Sequence, residues 1–186
     1  MPSIALTGNI ASGKSHIAEI FRSLGAVAID SDKIAHNLLE NDAQRIIERK
    51  FGTSNRSELG KIVFGNDEKL KELENILHPL VRSKYQEFLS ENADKIAIVE
   101  IPLLYETGAD KLFDYVVFVD VSEEVQKKRA LARPGMTEEK LKGVLARQNV
   151  ITPAQKRQMA HFVVDNNDRA DTVPQIKTIL GKLCAK

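Results

Sequence analysis

Apolar positions along this chain fall into two patterns. Five short runs are almost continuously apolar: Ile4–Thr7, Val27–Asp30, Ile96–Ile101, Tyr115–Asp120 and Phe162–Asp165. A strand that is apolar on both faces needs cover on both faces, and that is the habit of parallel sheets. Between the runs, apolar residues recur at helical spacing, beginning with Ile17, Ala18, Ile20 and Phe21. Strand and helix therefore alternate. The pattern predicts an α/β fold, a five-stranded parallel sheet flanked by helices and doubly wound. Ligands in such sheets bind outside the carboxyl ends of the strands.

The interval between the second and third runs is too long for one crossover helix. Residues 31–95 are expected to form a helical insertion beside the sheet. Leu70, Leu73, Ile76 and Leu77 have helical spacing, as do Val81, Tyr85, Phe88 and Leu89. His78-Pro79 lies between the two sets and predicts a helix boundary, because the residue before proline disfavours the helical region. Gly52-Thr53-Ser54-Asn55 reads as a loop. Residues 122–150 read as two helices broken at Pro134-Gly135, with Ser122 and Thr137 placed to cap them and acids following each. Thr152-Pro153 starts a further helix with proline at its first position.

Bulk properties narrow the partners. The chain of 186 residues is the size of one domain, with 42% hydrophobic and 28% charged residues. A net charge of +1 argues against broad binding to nucleic acid or to an anionic membrane. Aromatic content of 5% without tryptophan argues against base-stacking platforms. Cys184 is the single cysteine, so the chain holds no internal disulfide or cysteine-rich metal site. No secretory pattern and no long apolar run is visible, so the expectation is a cytoplasmic protein.

The chemistry concentrates at Gly8-Asn9-Ile10-Ala11-Ser12-Gly13-Lys14-Ser15, which reads G-x-x-x-x-G-K-S immediately after the first strand. Glycines let the backbone curl so that its N–H groups converge on phosphate oxygens, and the following helix adds its positive end. Lys14 supplies charge for the β- and γ-phosphates, and Ser15 a hydroxyl for Mg²⁺. Asp30 and Asp32 end the second strand and would share a side if the extended conformation continued. A carboxylate there could take a hydroxyl proton or position Mg²⁺; equally, Ser31 or Asp32 could cap the next helix. Arg129 and Arg133 lie one helical turn apart beside the break at Pro134-Gly135. They could converge on phosphate from a moving lid over 122–150, or form a solvated basic face. Glu100, at the end of the third strand, could reach Mg²⁺ directly or through water.

Together these segments resemble the dephospho-CoA kinase family of P-loop kinases, over nearly the whole chain. The resemblance runs through Ala5–Ser15, Ile29-Asp30-Ser31-Asp32-Lys33-Ile34-Ala35-His36, Leu59-Gly60-Lys61-Ile62-Val63-Phe64 and Leu73-Glu74-Asn75-Ile76-Leu77-His78-Pro79. It continues through Ile101-Pro102-Leu103-Leu104-Tyr105-Glu106, Gln126–Arg133, Arg147-Gln148 and Asp165-Asn166. The resemblance implies transfer of the ATP γ-phosphate to the ribose 3′-hydroxyl of dephospho-CoA. It implies that Gly8, Asn9, Ile10, Ala11, Ser12, Gly13, Lys14, Ser15 and His16 hold ATP, with Ser15 on Mg²⁺. Lys14 would stabilise the migrating phosphoryl group, Asp32 would be the base, and Arg129 and Arg133 would close from the lid. The insertion at 31–95 would hold the acceptor. A monomer or weak homo-oligomer is expected, with no nucleic-acid or membrane partner.

Asn9 and Ala11 stand where the family usually has glycine, so both are expected in glycine-like backbone conformations. Glu100 replaces a frequent aspartate, His161 a usual aspartate and Asn167 a common glycine. Other readings share the loop and lid: a nucleoside monophosphate or shikimate kinase, or more remotely a nucleotide-dependent switch. The switch would carry a D-x-x-G segment after a strand, and the sequence has none there.

Overall fold

A computed structural model describes residues 1–63 and 65–184. Phe64, the last residue of the Leu59–Phe64 segment, lies outside the described residues, as do Ala185 and Lys186. The chain divides into two compact units, Met1–Ala28 with Asn92–Lys186, and Ile29–Glu91.

The first unit carries the sheet. Its strands are β1 (Ser3–Thr7), β2 (Val27–Asp30, whose first half lies in this unit), β3 (Ala97–Glu100), β4 (Tyr115–Asp120) and β5 (Phe162–Asp165). Their order is β2-β3-β1-β4-β5. The three described pairings are parallel: Leu6 opposite Glu100, Thr7 opposite Phe118, and Asp120 opposite Asp165. Every strand change in a parallel sheet needs a crossover, and helices supply the cover.

Strand residues alternate between two buried faces. Ile4, Leu6, Ile98, Val117, Val119 and Val164 pack with Ile17, Phe21, Ile176 and Ile179. Those last four come from α1 (Lys14–Ser23) and α9 (Thr172–Cys184). Ala5, Val99, Val116 and Phe118 occupy the alternate positions and are also buried. The run of apolar residues is continuous because both faces are covered, and five strands with parallel pairing stand as expected. β3 is shorter than the run that signals it, since Ile96 and Ile101 flank it.

Three further helices follow β4: α6 (Glu123–Leu131), α7 (Glu138–Gln148) and α8 (Pro153–Met159). Each starts at a hydroxyl cap. Ser122, Thr137 and Thr152 accept from the backbone N–H of Val125, Lys140 and Gln155. Thr152 and Gln155 complete a reciprocal capping box, with Pro153 at the first turn.

The second unit is helical. It contains α2 (Ser31–Glu40), α3 (Gln44–Phe51), α4 (Arg56–Val63) and α5 (Asp67–Glu91). Ile34, Leu38, Leu39, Ile47, Leu59, Leu73 and Tyr85 are among its buried side chains. Two sequence expectations fail here. His78-Pro79 is not a boundary: α5 runs through it as one helix of 25 residues. The apolar spacing keeps its phase across the proline, from Leu73 to Tyr85, while His78 and Pro79 face solvent. Proline in a helix interior costs about 3 kcal/mol, and packing of both halves on one face offsets it.

The second failure concerns Asp30 and Asp32. The extended conformation ends at Asp30, and the helix starts at Ser31. Neither Ser31 nor Asp32 is the cap. Asp30 takes that place, its Oδ1 accepting from the Asp32 N–H at 2.8 Å. Asp32 sits exposed in the first turn, where a carboxylate is favoured by the helix dipole. Among the described residues, no helix is long and apolar enough to cross a membrane.

Candidate active site

The loop between β1 and α1 is shaped by close approaches. Gly8 follows Thr7 with φ +156°, and a Cβ on it would lie 2.6 Å from the Val119 carbonyl oxygen. The chain turns at Asn9, whose carbonyl accepts from the Ser12 N–H at 3.1 Å. Ala11 then takes φ 60°, the one non-glycine residue with positive φ among the described residues. Asn9 is not in that region, so of the two replacements only Ala11 takes a glycine-like conformation. Holding alanine there costs roughly 1 kcal/mol, which tight surroundings must impose. Gly13 is left-handed at φ 94° and caps α1 without a side chain. The start of α1 thus has no side-chain cap, an arrangement that leaves its N–H groups suited to an anion.

Side chains complete the cradle. The Lys14 ammonium donates to the carbonyls of Gly8 at 2.8 Å and Asn9 at 3.3 Å, so it lies across the loop. The Ser15 hydroxyl donates to Oε2 of Glu100 at 3.1 Å, and Glu100 is only 3% exposed at the end of β3. These two oxygens are hard donors of the kind Mg²⁺ takes alongside phosphate and water. Among the described residues no cluster of three His, Cys, Asp or Glu side chains competes for a metal. The donor set therefore fits Mg²⁺ held partly by a nucleotide. His16 is half-buried in the first turn of α1, and its Nε2 has no hydrogen-bond partner among the described residues.

Polar side chains from α6, α7 and the segment after β5 hold the loop from outside. Gln126 of α6 donates to the Ile10 carbonyl at 3.0 Å, and Gln148 of α7 accepts from the Ile10 N–H at 2.7 Å. Asn166, fully buried after β5, donates to the Ser12 carbonyl at 2.6 Å. A Cβ on Gly13 would collide with the Asn166 amide, so glycine is needed at that position for packing as well as for φ. The Asn9 amide donates to Asn149 Oδ1 at 2.8 Å. The Lys156 ammonium bonds Asn9 Oδ1 and pairs with Glu106.

The sequence reading assigned no role to Gln126, Gln148, Asn166, Lys156 or Glu106. A signal existed for the glutamines. Gln126 is in helical phase with the buried Ala130, and Gln148 follows Leu141 and Leu145 on one face. Lys156 carries no such signal, since it stands between Gln155 and Arg157 in a polar helix.

Arg129 and Arg133 do not lie on one continuous helix. Arg129 lies in α6, and its guanidinium donates to the carbonyls of Asn166 at 2.8 Å and Asn167 at 3.2 Å. Burial holds it below the usual guanidinium range, neighbouring Arg169 adds to this, and Asp168 opposes it. Arg133 lies beyond the end of α6 at Leu131 and is exposed. The helical spacing that would align the two ends before the second is reached. Asp32 belongs to the helical unit and is placed as described above.

A parallel sheet in this order, with a phosphate loop between β1 and α1 at the carboxyl ends of the strands, defines a P-loop kinase fold. The family model described as dephospho-CoA kinase matches residues 3–172, so the chain belongs to that family. A dephospho-CoA kinase of Agrobacterium fabrum is 41% identical, with 98% of each chain covered. A Thermus thermophilus protein of known structure superimposes with a TM-score of 0.82 at 32% identity, covering 98% of this chain and 97% of that one. The dephospho-CoA kinase from Campylobacter jejuni gives a TM-score of 0.67 at 32% identity, covering 97% and 96%.

Proposed function

We propose that the chain transfers the γ-phosphate of ATP to the ribose 3′-hydroxyl of dephospho-CoA, giving coenzyme A and ADP. The observation that carries the acceptor is the family match over residues 3–172. The loop geometry supports the donor. In the reaction the 3′-oxygen forms a bond to the γ-phosphorus, and the bond from that phosphorus to the β–γ bridging oxygen breaks. The hydroxyl proton passes to the Asp32 carboxylate. Catalysis of this kind is mostly positioning and charge stabilisation.

Each residue has a role of that type. Backbone N–H groups of the loop from Gly8 to Ser15 and the start of α1 hold the phosphates, with His16 beside them. Lys14 meets the charge that develops on the migrating group. Ser15, with Glu100 behind it, would hold Mg²⁺, which would supply positive charge against the polyphosphate. Residues 31–95 hold the acceptor, and residues 122–150 serve as a lid. The protein works in the cytoplasm as a monomer or weak homo-oligomer. A net charge of +1 supports the absence of nucleic-acid and membrane partners.

Coupled ADP release with dephospho-CoA, AMP, shikimate or no acceptor tests the assignment. ADP release should follow dephospho-CoA mole for mole. Equal turnover without acceptor overturns the kinase reading, and turnover on AMP or shikimate alone moves the acceptor to another class.

The exposure of Arg133, past the end of α6, supports a role for it as the lid residue that meets phosphate. Arg133→Ala should lower kcat/KM by about tenfold to a hundredfold, as loss of one charged donor does. An unchanged value in steady-state kinetics assigns Arg133 to the solvated surface.

A further inference from the structure

Lys156 is fully buried, and three oxygen atoms from separate segments surround its ammonium. It donates hydrogen bonds to the Gln148 carbonyl at 2.7 Å and Asn9 Oδ1 at 3.1 Å, and forms an ion pair with Glu106 Oε1 at 2.7 Å. A buried ion pair of this kind is seldom needed for folding, because apolar residues of the same size usually serve as well. What the ammonium adds is direction. It joins the segment after β3 and the last turn of α7 to the second residue of the phosphate loop. The capping box at Thr152 and Gln155 fixes the helix from which it reaches.

Asn9 passes the restraint on. Its amide donates to Asn149, and its carbonyl receives both the Ser12 N–H and the Lys14 ammonium. A chain of hydrogen bonds therefore runs from one lysine, deep in the unit, to the lysine at the phosphate site. Asn9 is also where this chain departs from the glycine expected there, and only a side chain can reach Lys156.

We propose that Lys156 is a positioning residue of the donor site: acting through Asn9, it sets the loop that receives the ATP phosphates. The proposal rests on the reading of residues 8–15 as that site. Its test compares three proteins with the parent: Asn9→Gly, the charge-free pair Lys156→Met with Glu106→Leu, and all three changes together. Each is titrated with a fluorescent ATP analogue without acceptor, and the KM for dephospho-CoA is measured separately.

Asn9→Gly and the charge-free pair should each weaken nucleotide binding by about fivefold, the scale of one or two buried hydrogen bonds. The triple variant should be no weaker than either, because both changes break one linkage. The KM for dephospho-CoA should stay within about twofold, since its binding lies outside that linkage. Losses that multiply in the triple variant, or nucleotide affinity unchanged in the charge-free pair, overturn the proposal. If the charge-free pair shows no cooperative thermal transition, Asn9→Gly decides: unchanged affinity overturns, and the expected loss supports. Failure of the parent protein to bind the nucleotide analogue would instead overturn the reading of the loop itself.

Discussion

Replacing Asp32 by asparagine should lower kcat by about a hundredfold or more, while ATP affinity changes by less than about twofold. Asparagine keeps the shape of the side chain but cannot accept the hydroxyl proton. The hydrogen bond at this turn uses the backbone N–H of Asp32, and the capping oxygen belongs to Asp30. Loss of the carboxylate that the helix dipole favours should cost about 0.3–1 kcal/mol of stability. Asp30→Asn separates the two roles, because asparagine caps a helix about as well as aspartate does. It should retain near-normal kcat. A near-normal kcat for Asp32→Asn, measured by coupled ADP release with dephospho-CoA saturating, would remove Asp32 as the base.

The second large effect is expected from Gly8→Ala. The new methyl would sit 2.6 Å from the carbonyl oxygen of Val119, which is backbone of a central strand. It would also meet Ser12 Oγ at 2.6 Å, but that oxygen can rotate aside. β4 cannot yield so easily, because it pairs with β1 on one side and β5 on the other. The loop must shift instead, and φ +156° further disfavours alanine. Strain and overpacking together should cost about 1–3 kcal/mol of stability. A loop displaced from its phosphate contacts should bind ATP at least about tenfold more weakly. Thermal unfolding and an ATP titration read the two effects separately. Parent-like ATP affinity would show that the site does not depend on the contact between Gly8 and β4.

How legible these features are in the sequence follows from their range along the chain. β3 and β4 stand out because burial on both faces makes them continuous apolar runs that local inspection can find. The caps at Ser122, Thr137 and Thr152 are legible because each bond closes within three residues. The phosphate loop is legible for the same reason: its shape is set by glycines and by a lysine inside one octapeptide. α5 is misread because proline is a strong local signal, and it is overruled by apolar phase maintained over the whole helix. The outer supports of the loop are invisible locally. Gln126 and Lys156 reach residues 116 and 147 positions away, and polar side chains in polar helices look like ordinary surface. Asp32 shows a subtler limit, since strand spacing describes it only while the strand lasts.

The paired grip of Gln126 and Gln148 on the backbone of Ile10 has a thermodynamic consequence. Both backbone polar groups of one residue are occupied by side chains, and neighbouring Ala11 is held in a conformation that alanine avoids. A free loop of this composition would sample many shapes, and a ligand would have to select one. Here the loss of conformational freedom is incurred when the protein folds, before any nucleotide arrives. The contact energy of the triphosphate is then left for affinity and for the reaction coordinate rather than for ordering the receptor.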